Sequence, residues 1–267
     1  MSELAAVLQA RDLSKRFGGL VAVDQVSIDV PEGAIASIIG PNGAGKTTLF
    51  DLLSGLQRPS GGTVHYQGRE ITRARPDRIL ASGMARTFQN IRLFPTLSAR
   101  ENVLIGRHAR LKATLLGSIL RPPWVREEER AAHDRSGELL EYVGIPSHHI
   151  DQAVTSLAYG DKRRVEIARA LASDPGVLLL DEPTAGMNPS ESYALTGLMR
   201  TMRDDLGLTI VLIEHDMQVV MGVSDQVTVL DHGEKIAEGS PQQVRNDPGV
   251  IEAYLGYSHH LPHSVGA

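Results

Sequence analysis

Residues 40–48 read GPNGAGKTT, and residues 177–183 read VLLLDEP. The first stretch matches G-x-x-x-x-G-K-[ST], with the apolar run IASII before it and the helix-like run TTLFDLLSGL after it. In a loop of this kind Gly43 and Gly45 let backbone N–H groups turn inward without a Cβ clash. The helix that follows aims its positive end at a phosphate. Lys46 supplies a mobile cation for the β- and γ-phosphates of a nucleotide, and the Thr47 hydroxyl suits Mg²⁺. Asn42, Gly43, Ala44, Gly45, Lys46, Thr47 and Thr48 are therefore the candidate nucleotide-binding residues. Chance alone writes this pattern in roughly one chain of this length in a hundred, and the strand–loop–helix setting makes it rarer. The second stretch supplies a carboxylate at the end of an apolar strand. Asp181 is placed to hold Mg²⁺, and Glu182 to orient or deprotonate an attacking water.

Other chemistries are closed off by composition. There is no cysteine among 267 residues, so disulfides and thiolate metal sites are excluded. A net charge of −5 argues against a nucleic-acid binder that works through a basic surface. The opening MSELAAVLQARD lacks the basic start and apolar run of a secretory leader, and no segment reaches the ~20 apolar residues of a membrane helix. Any link to a membrane is expected to run through a partner protein.

The elements that position these residues are legible in outline. Val7 to Leu13, Ala22 to Val30, Ile35 to Ile39 and Thr63 to Tyr66 read as strands. From Thr96 to Ala172 the pattern is mostly helical, with breaks at Pro122-Pro123, Gly144-Ile145-Pro146 and Tyr159-Gly160. Ser98 and Glu101 have capping-box spacing, and Val125 to Val143 is amphipathic with a charged, solvated opening at 126–130. Val177 to Leu180 and Thr209 to Ile213 are dense apolar runs suited to buried parallel strands. Between them Pro189 to Leu206 reads as a helix capped by Asn188, and Gln226 to Gly239 as a hairpin. The expected fold is α/β: a P-loop NTPase core with an N-terminal antiparallel β region and an inserted helical subdomain. Residues 1–95 and 173–257 would form the ATP-binding core, 96–172 the helical insert and 258–267 a frayed tail. Three histidines in that tail give only a weak metal-binding signal.

GPNGAGKTT, Gln89, LAYGD ahead of a helix, LLLDEP and His215 after TIVLIE occur in one order, and this order resembles the ATP-binding subunit of ABC transporters. The likeness covers residues 4 to about 257. LAYGDKRRVEIARAL, AGMNP at 185–189 and IEAYLG at 251–256 are most similar to branched-chain amino-acid importers. The resemblance implies ATP and Mg²⁺ as ligands, with Phe17 stacking on adenine, Gln89 contacting Mg²⁺ and the water, and His215 near the γ-phosphate. It implies a head-to-tail pair of cassettes, identical or similar. In such a pair Leu157, Ala158, Tyr159, Gly160 and Asp161 of one chain close over the ATP of the other, and Asn188 stands in the loop facing the opposite subunit. It also implies permease subunits at the cytoplasmic face of the membrane, docked on QNIRLFPTLS and part of the helical insert, and indirectly a solute-binding protein. The run Leu115 to Trp124 would extend that surface or form a buried hairpin.

Two departures stand out against the commoner family text Leu-Ser-Gly-Gly-Gln. Ala158 lacks a hydroxyl, and Asp161 brings a negative charge. At about 8 Å from a phosphate that charge would cost roughly 1–2 kcal/mol per unit charge at an effective dielectric of about 20–40. Lys162, Arg163 and Arg164 are expected to offset much of it. The alternatives are an exporter ATPase, which shares the core motifs, or a soluble ABC protein of repair or translation. The latter typically carries coiled coils or tandem cassettes, and neither is found here. A GTPase or small-molecule kinase would need N-K-x-D or leave LAYGD and His215 without a role, and a non-catalytic module would not need Glu182.

Overall fold

The computed structural model of the chain describes residues 6–110 and 122–258. In chain order its main elements begin with β1 (Ala6–Phe17), β2 (Leu20–Pro31), β3 (Ile35–Ile39), α1 (Lys46–Leu53), β4 (Gly61–Tyr66) and β5 (Arg69–Glu70). There follow α2 (Pro76–Ser82), β6 (Met84–Arg86), α3 (Ala99–Arg107), α4 (Pro123–Tyr142), α5 (Tyr159–Leu171), β7 (Val177–Asp181) and α6 (Pro189–Leu206). The last are β8 (Thr209–Ile213), α7 (Met217–Val223), β9 (Gln226–Asp231), β10 (Glu234–Gly239), α8 (Pro241–Arg245) and α9 (Pro248–Ser258). Two compact units result. One holds the described residues up to Ala74 and those from Met199 onward; the other is Arg75–Leu198.

The first unit contains an antiparallel sheet in the order β2-β1-β4-β5. It also contains strands in the order β10-β9-β3-β8, where β3 runs parallel to β8 and β9, and β9 and β10 form the expected hairpin. All five residues of β3 and all five of β8 are buried, which is why their sequences are dense in apolar residues rather than alternating, with Ser37 hydrogen-bonded to Ser224 and Thr209 accepting from the Gly33 N–H. Each such Ile, Val or Leu contributes about 1.5–3 kcal/mol relative to an exposed position. β1 and β2 extend beyond the expected spans, to Phe17 and from Leu20. Pairing continues through Lys15↔Val23, Arg16↔Val21 and Phe17↔Leu20, where charged residues and the exposed Phe17 and Leu20 break the alternation of buried and exposed positions.

In the second unit β6 pairs parallel to β7, and α5 packs on β6 while α3 packs on α4 and α5. That packing makes the compact unit wider than residues 96–172. Ser98 forms the expected capping box with Glu101. Pro122-Pro123 stands at the start of α4, where Pro123 occupies the first turn and its missing N–H costs nothing. The charged run 126–130 is almost wholly exposed. Residues 115–121 of the Leu115 to Trp124 run lie outside the described residues, and Trp124 is an exposed residue of α4. At the other end α9 runs through Ser258, so Ser258 belongs to a helix; 259–267, with the three tail histidines, lie outside the described residues. Among the described residues no helix is long and apolar enough to cross a membrane.

Candidate functional site

The phosphate-loop candidates sit between β3 and α1. Gly45 is the N-cap of α1 with φ of 95°, and a Cβ there would lie 2.3 Å from the Ala22 carbonyl oxygen, so glycine is required twice over. At Gly43 no crowding exists. Its φ of 83° alone calls for glycine, which corrects the steric expectation at that residue. Lys46 is not the mobile cation expected from sequence. It is 8% exposed, and its ammonium donates to the Gly40 and Pro41 carbonyls at 2.7 and 2.8 Å. A buried ammonium needs acceptors, and the loop's own carbonyls supply them. Asn42, Gly43 and Thr47 are exposed, Gly45 and Thr48 half-buried and Ala44 buried.

The first unit holds three further residues of interest, of which Tyr254 touches this loop. Tyr254 of α9 is hydrogen-bonded to the Gly40 backbone, and its burial pushes the phenol pKa up. Phe17 ends β1 as an exposed ring with the Lys15 ammonium 4.8 Å from its centroid. His215 follows β8, exposed, with its backbone N–H donating to the buried Glu214 carboxylate at 3.1 Å.

In the second unit the acidic pair ends β7. Asp181 is buried and forms an ion pair with Arg86 at 3.1 Å. Glu182 has φ of 45°, a left-handed conformation that costs a residue with a Cβ about 1–2 kcal/mol. Glutamate gains none of the local hydrogen bonds by which Asp or Asn tolerate that region, so the carboxylate is held where it is by its surroundings. Its Oε2 accepts a hydrogen bond from Gln89 Nε2 at 3.0 Å. Two candidates taken from separate stretches of sequence thus meet.

Leu157 to Asp161, the signature loop, begins a helix earlier than its expected place ahead of one. α5 starts at Tyr159, with Ala158 as an N-cap that makes no side-chain hydrogen bond; a helix entered at Asp161 is corrected by two residues. Ala, lacking a hydroxyl, leaves the first-turn N–H groups without a capping oxygen. Gly160 is buried against Glu191, where a Cβ would stand 3.1 Å from Oε1. Glu191 in turn forms a reciprocal cap with Asn188, both bonds at 3.0 Å. Tyr159 is exposed and its ring lies beside Gly186, Leu157 is buried, and Asp161 is half-buried in the first turn.

A family model described as ABC transporter matches residues 23–185. The chain belongs to the ABC transporter family. A second model, described as branched-chain amino acid ATP-binding cassette transporter, matches residues 234–260 of this ABC cassette. The chain is 45% identical to the high-affinity branched-chain amino acid transport ATP-binding protein LivG of Salmonella typhimurium, over 94% of this chain and 98% of that protein. It is 42% identical to the corresponding BraF of Pseudomonas aeruginosa over the same shares. Among solved structures, MJ1267, an ATP-binding cassette in its ADP conformation, aligns with a TM-score of 0.81 at 32% identity, covering 94% of this chain and 99% of that one. CbiO1 from Clostridium perfringens aligns at 0.78 and 28%, covering 96% and 100%.

Sequence reasoning about this ABC cassette missed a group of side chains on α5. Arg163 does not flank Asp161 as a screening charge: it is fully buried and bonded to the Phe88 and Gln89 carbonyls and to Glu166. Only Lys162 and Arg164 remain half-exposed in that turn. Burial raises the Glu166 carboxyl pKa against the opposing pull of Arg163 and Arg169, and burial lowers that of the Arg169 guanidinium. The missed signal was periodicity: residues 163, 166 and 169 repeat every three positions along a buried face.

Proposed function

We propose that this chain is the ATP-hydrolysing subunit of an importer for branched-chain or related amino acids. One observation carries the reading: 45% identity to a branched-chain amino acid transport ATP-binding protein extends over 94% of the chain and reaches past the nucleotide motifs. The match at 234–260 to a branched-chain family model supports it in the part of the chain that does no phosphate chemistry.

In this reading the residues divide the work as follows. The 43–48 loop and Lys46 bind the triphosphate, with Lys46 exchanging backbone carbonyls for phosphate oxygens. Phe17 stacks on adenine, and Glu182 accepts the proton of a water oriented by Gln89. Leu157 to Asp161 act on the ATP of a second cassette, where α5 presents its first-turn N–H groups to the γ-phosphate, whereas His215 sits near the γ-phosphate of the ATP bound to its own chain. The two cassettes close while the γ-phosphate bridges donors of both, and open once it is cleaved. That difference in affinity between two states is the only source of mechanical work. The oxygen donors of Thr47, Asp181 and Gln89 fit a hard cation, so these residues would hold Mg²⁺, which when bound neutralises phosphate charge. Arg86 is the counter-charge already paired with Asp181.

Transport requires membrane partners. Segment 89–98 is irregular, with Phe94 exposed and Leu93 half-buried, and suits docking of a permease at the cytoplasmic face of the membrane. The chain extracted from native membranes in mild detergent is expected to bring hydrophobic permease subunits and a solute-binding protein for branched-chain amino acids. Replacing Leu93 and Phe94 with Asp should at least halve the permease recovered. Recovery of the wild-type chain alone, or with nucleic-acid-processing proteins, would favour a soluble cassette.

Asp161 sets a smaller expectation. With Arg163 turned inward, two cations rather than three screen it, while the helix start favours it by about 0.3–1 kcal/mol. Asp161→Gln should raise ATP turnover by less than tenfold. A larger rise in a steady-state phosphate-release assay would show that repulsion outweighs this compensation.

A further inference from the structure

Residues 88–94 adopt no helix or strand, yet side chains of the neighbouring helices engage their backbone. Arg163 forks: Nη1 donates to the Phe88 carbonyl at 2.7 Å and Nη2 to the Gln89 carbonyl at 2.7 Å. Nη1 also donates to Glu166 Oε2 at 2.8 Å. Glu166 Oε1 accepts from Arg92 N–H at 3.3 Å, and Arg169 Nη1 donates to the Arg92 carbonyl. Asn102 of α3 closes the segment, accepting from Phe94 N–H at 2.8 Å and donating to its carbonyl at 3.2 Å. A loop whose backbone is satisfied this way behaves as part of the helices.

Arg163 occupies the most consequential point in this set. Its exposure is 0% and that of Glu166 is 1%. Desolvating such a pair costs several kcal/mol per ion, and an apolar pair of the same volume would often be as stable or more so. Stability alone therefore does not account for a guanidinium here. What the guanidinium does is fix the Gln89 carbonyl from one side, while the Gln89 side chain donates to Glu182 on the other. A planar fork can satisfy two successive carbonyls and a carboxylate at once; an ammonium cannot match that geometry.

We infer that Arg163 is a positioning residue for ATP hydrolysis, which holds Gln89 against Glu182 and ties that segment to the helix carrying the signature loop. This rests on the reading of Glu182 as the base. It means that the helix serving a partner's ATP and the glutamine beside this chain's own Glu182 share one rigid connection. A displacement of either is passed to the other through a side chain rather than along the intervening chain.

The test is a double-mutant cycle on the full-length chain, read as single-turnover ATP hydrolysis. The combined change Arg163→Met with Glu166→Leu removes both members of the buried pair and keeps the volume, while Arg169, which loses its 3.5 Å contact with Glu166, keeps its bond to the Arg92 carbonyl. It should lower the hydrolysis rate at least tenfold with the KM for ATP changed less than twofold and the melting temperature within a few degrees. In a Gln89→Ala background the same change should cost less than a further twofold. Arg163→Lys, which keeps the charge, should lie between, with a two- to fivefold loss. Unchanged hydrolysis in the folded Met/Leu variant would overturn the proposal, as would an equal fractional loss in both backgrounds. If the Met/Leu variant fails to fold, Arg163→Lys at the wild-type rate, or equally slowed in both backgrounds, would overturn it too. Glu182→Gln, measured in parallel, reports separately on the base: rapid turnover there removes that assignment and leaves the Arg163–Gln89 coupling to be judged on the cycle.

Discussion

Glu182→Gln is expected to slow ATP hydrolysis at least about a hundredfold while leaving ATP binding intact, and to accumulate a closed pair of cassettes in ATP. General-base catalysis is worth about 10²–10⁴ in rate, and the amide cannot take a proton. The substitution is otherwise nearly silent. It keeps the side chain's length, leaves the left-handed backbone at this residue no more strained, and retains an oxygen to accept from Gln89 Nε2. In the proposed function the change also removes a negative charge near the γ-phosphate, which favours the closed state. Phosphate release and light scattering on a sizing column, with and without ATP, measure both effects. Turnover at a tenth of the wild-type rate or faster would remove Glu182 as the base. A monomer in saturating ATP would instead point to a pocket complete within one chain.

Lys46→Ala has an effect of similar size by a different route. It deletes the ammonium that bonds the Gly40 and Pro41 carbonyls and, in the proposed function, two phosphate oxygens. Two charge-assisted bonds at about 1.5–3 kcal/mol each correspond to roughly 3–6 kcal/mol in kcat/KM, some two to four orders of magnitude. Unlike Glu182→Gln, this change should weaken nucleotide binding, which a fluorescent ATP analogue would report. ATP affinity equal to wild type would show that Lys46 serves the loop's internal bonding alone. The contrast between the two variants separates binding from chemistry: one loses turnover with ATP held, the other loses ATP itself.

Much of this protein is legible without coordinates because some of its chemistry is local. GPNGAGKTT carries its own loop geometry, since glycine tolerance of positive φ, a lysine and a hydroxyl are all that a phosphate cradle asks, and strand and helix flank it directly. Dense apolar runs such as IASII and TIVLI announce buried strands for the same reason, as each residue faces a covered side. Caps at Ser98 and Asn188 are equally local, being contacts between residues three apart. Where the sequence was silent, the contact was distant or the exposure was high. The outer ends of β1 and β2 escaped notice because their exposed side chains carry no alternation, although their backbones pair.

What the sequence by itself determined is the family, the phosphate loop and the acidic strand end, because each is written in a continuous stretch whose physics is complete within a few residues. Only the tertiary structure decided that Lys46 is buried on its own loop, that Asp161 has lost Arg163 as a neighbour, and that Gln89 meets Glu182. It also decided that α5 binds segment 88–94 through Arg163, Glu166 and Arg169. The contacts of Gln89 with Glu182 and of α5 with segment 88–94 span 74 to 93 positions of chain, and a charged side chain reads the same in a sequence whether it faces water or a carbonyl. Burial, not residue type, turned a basic stretch into a clamp.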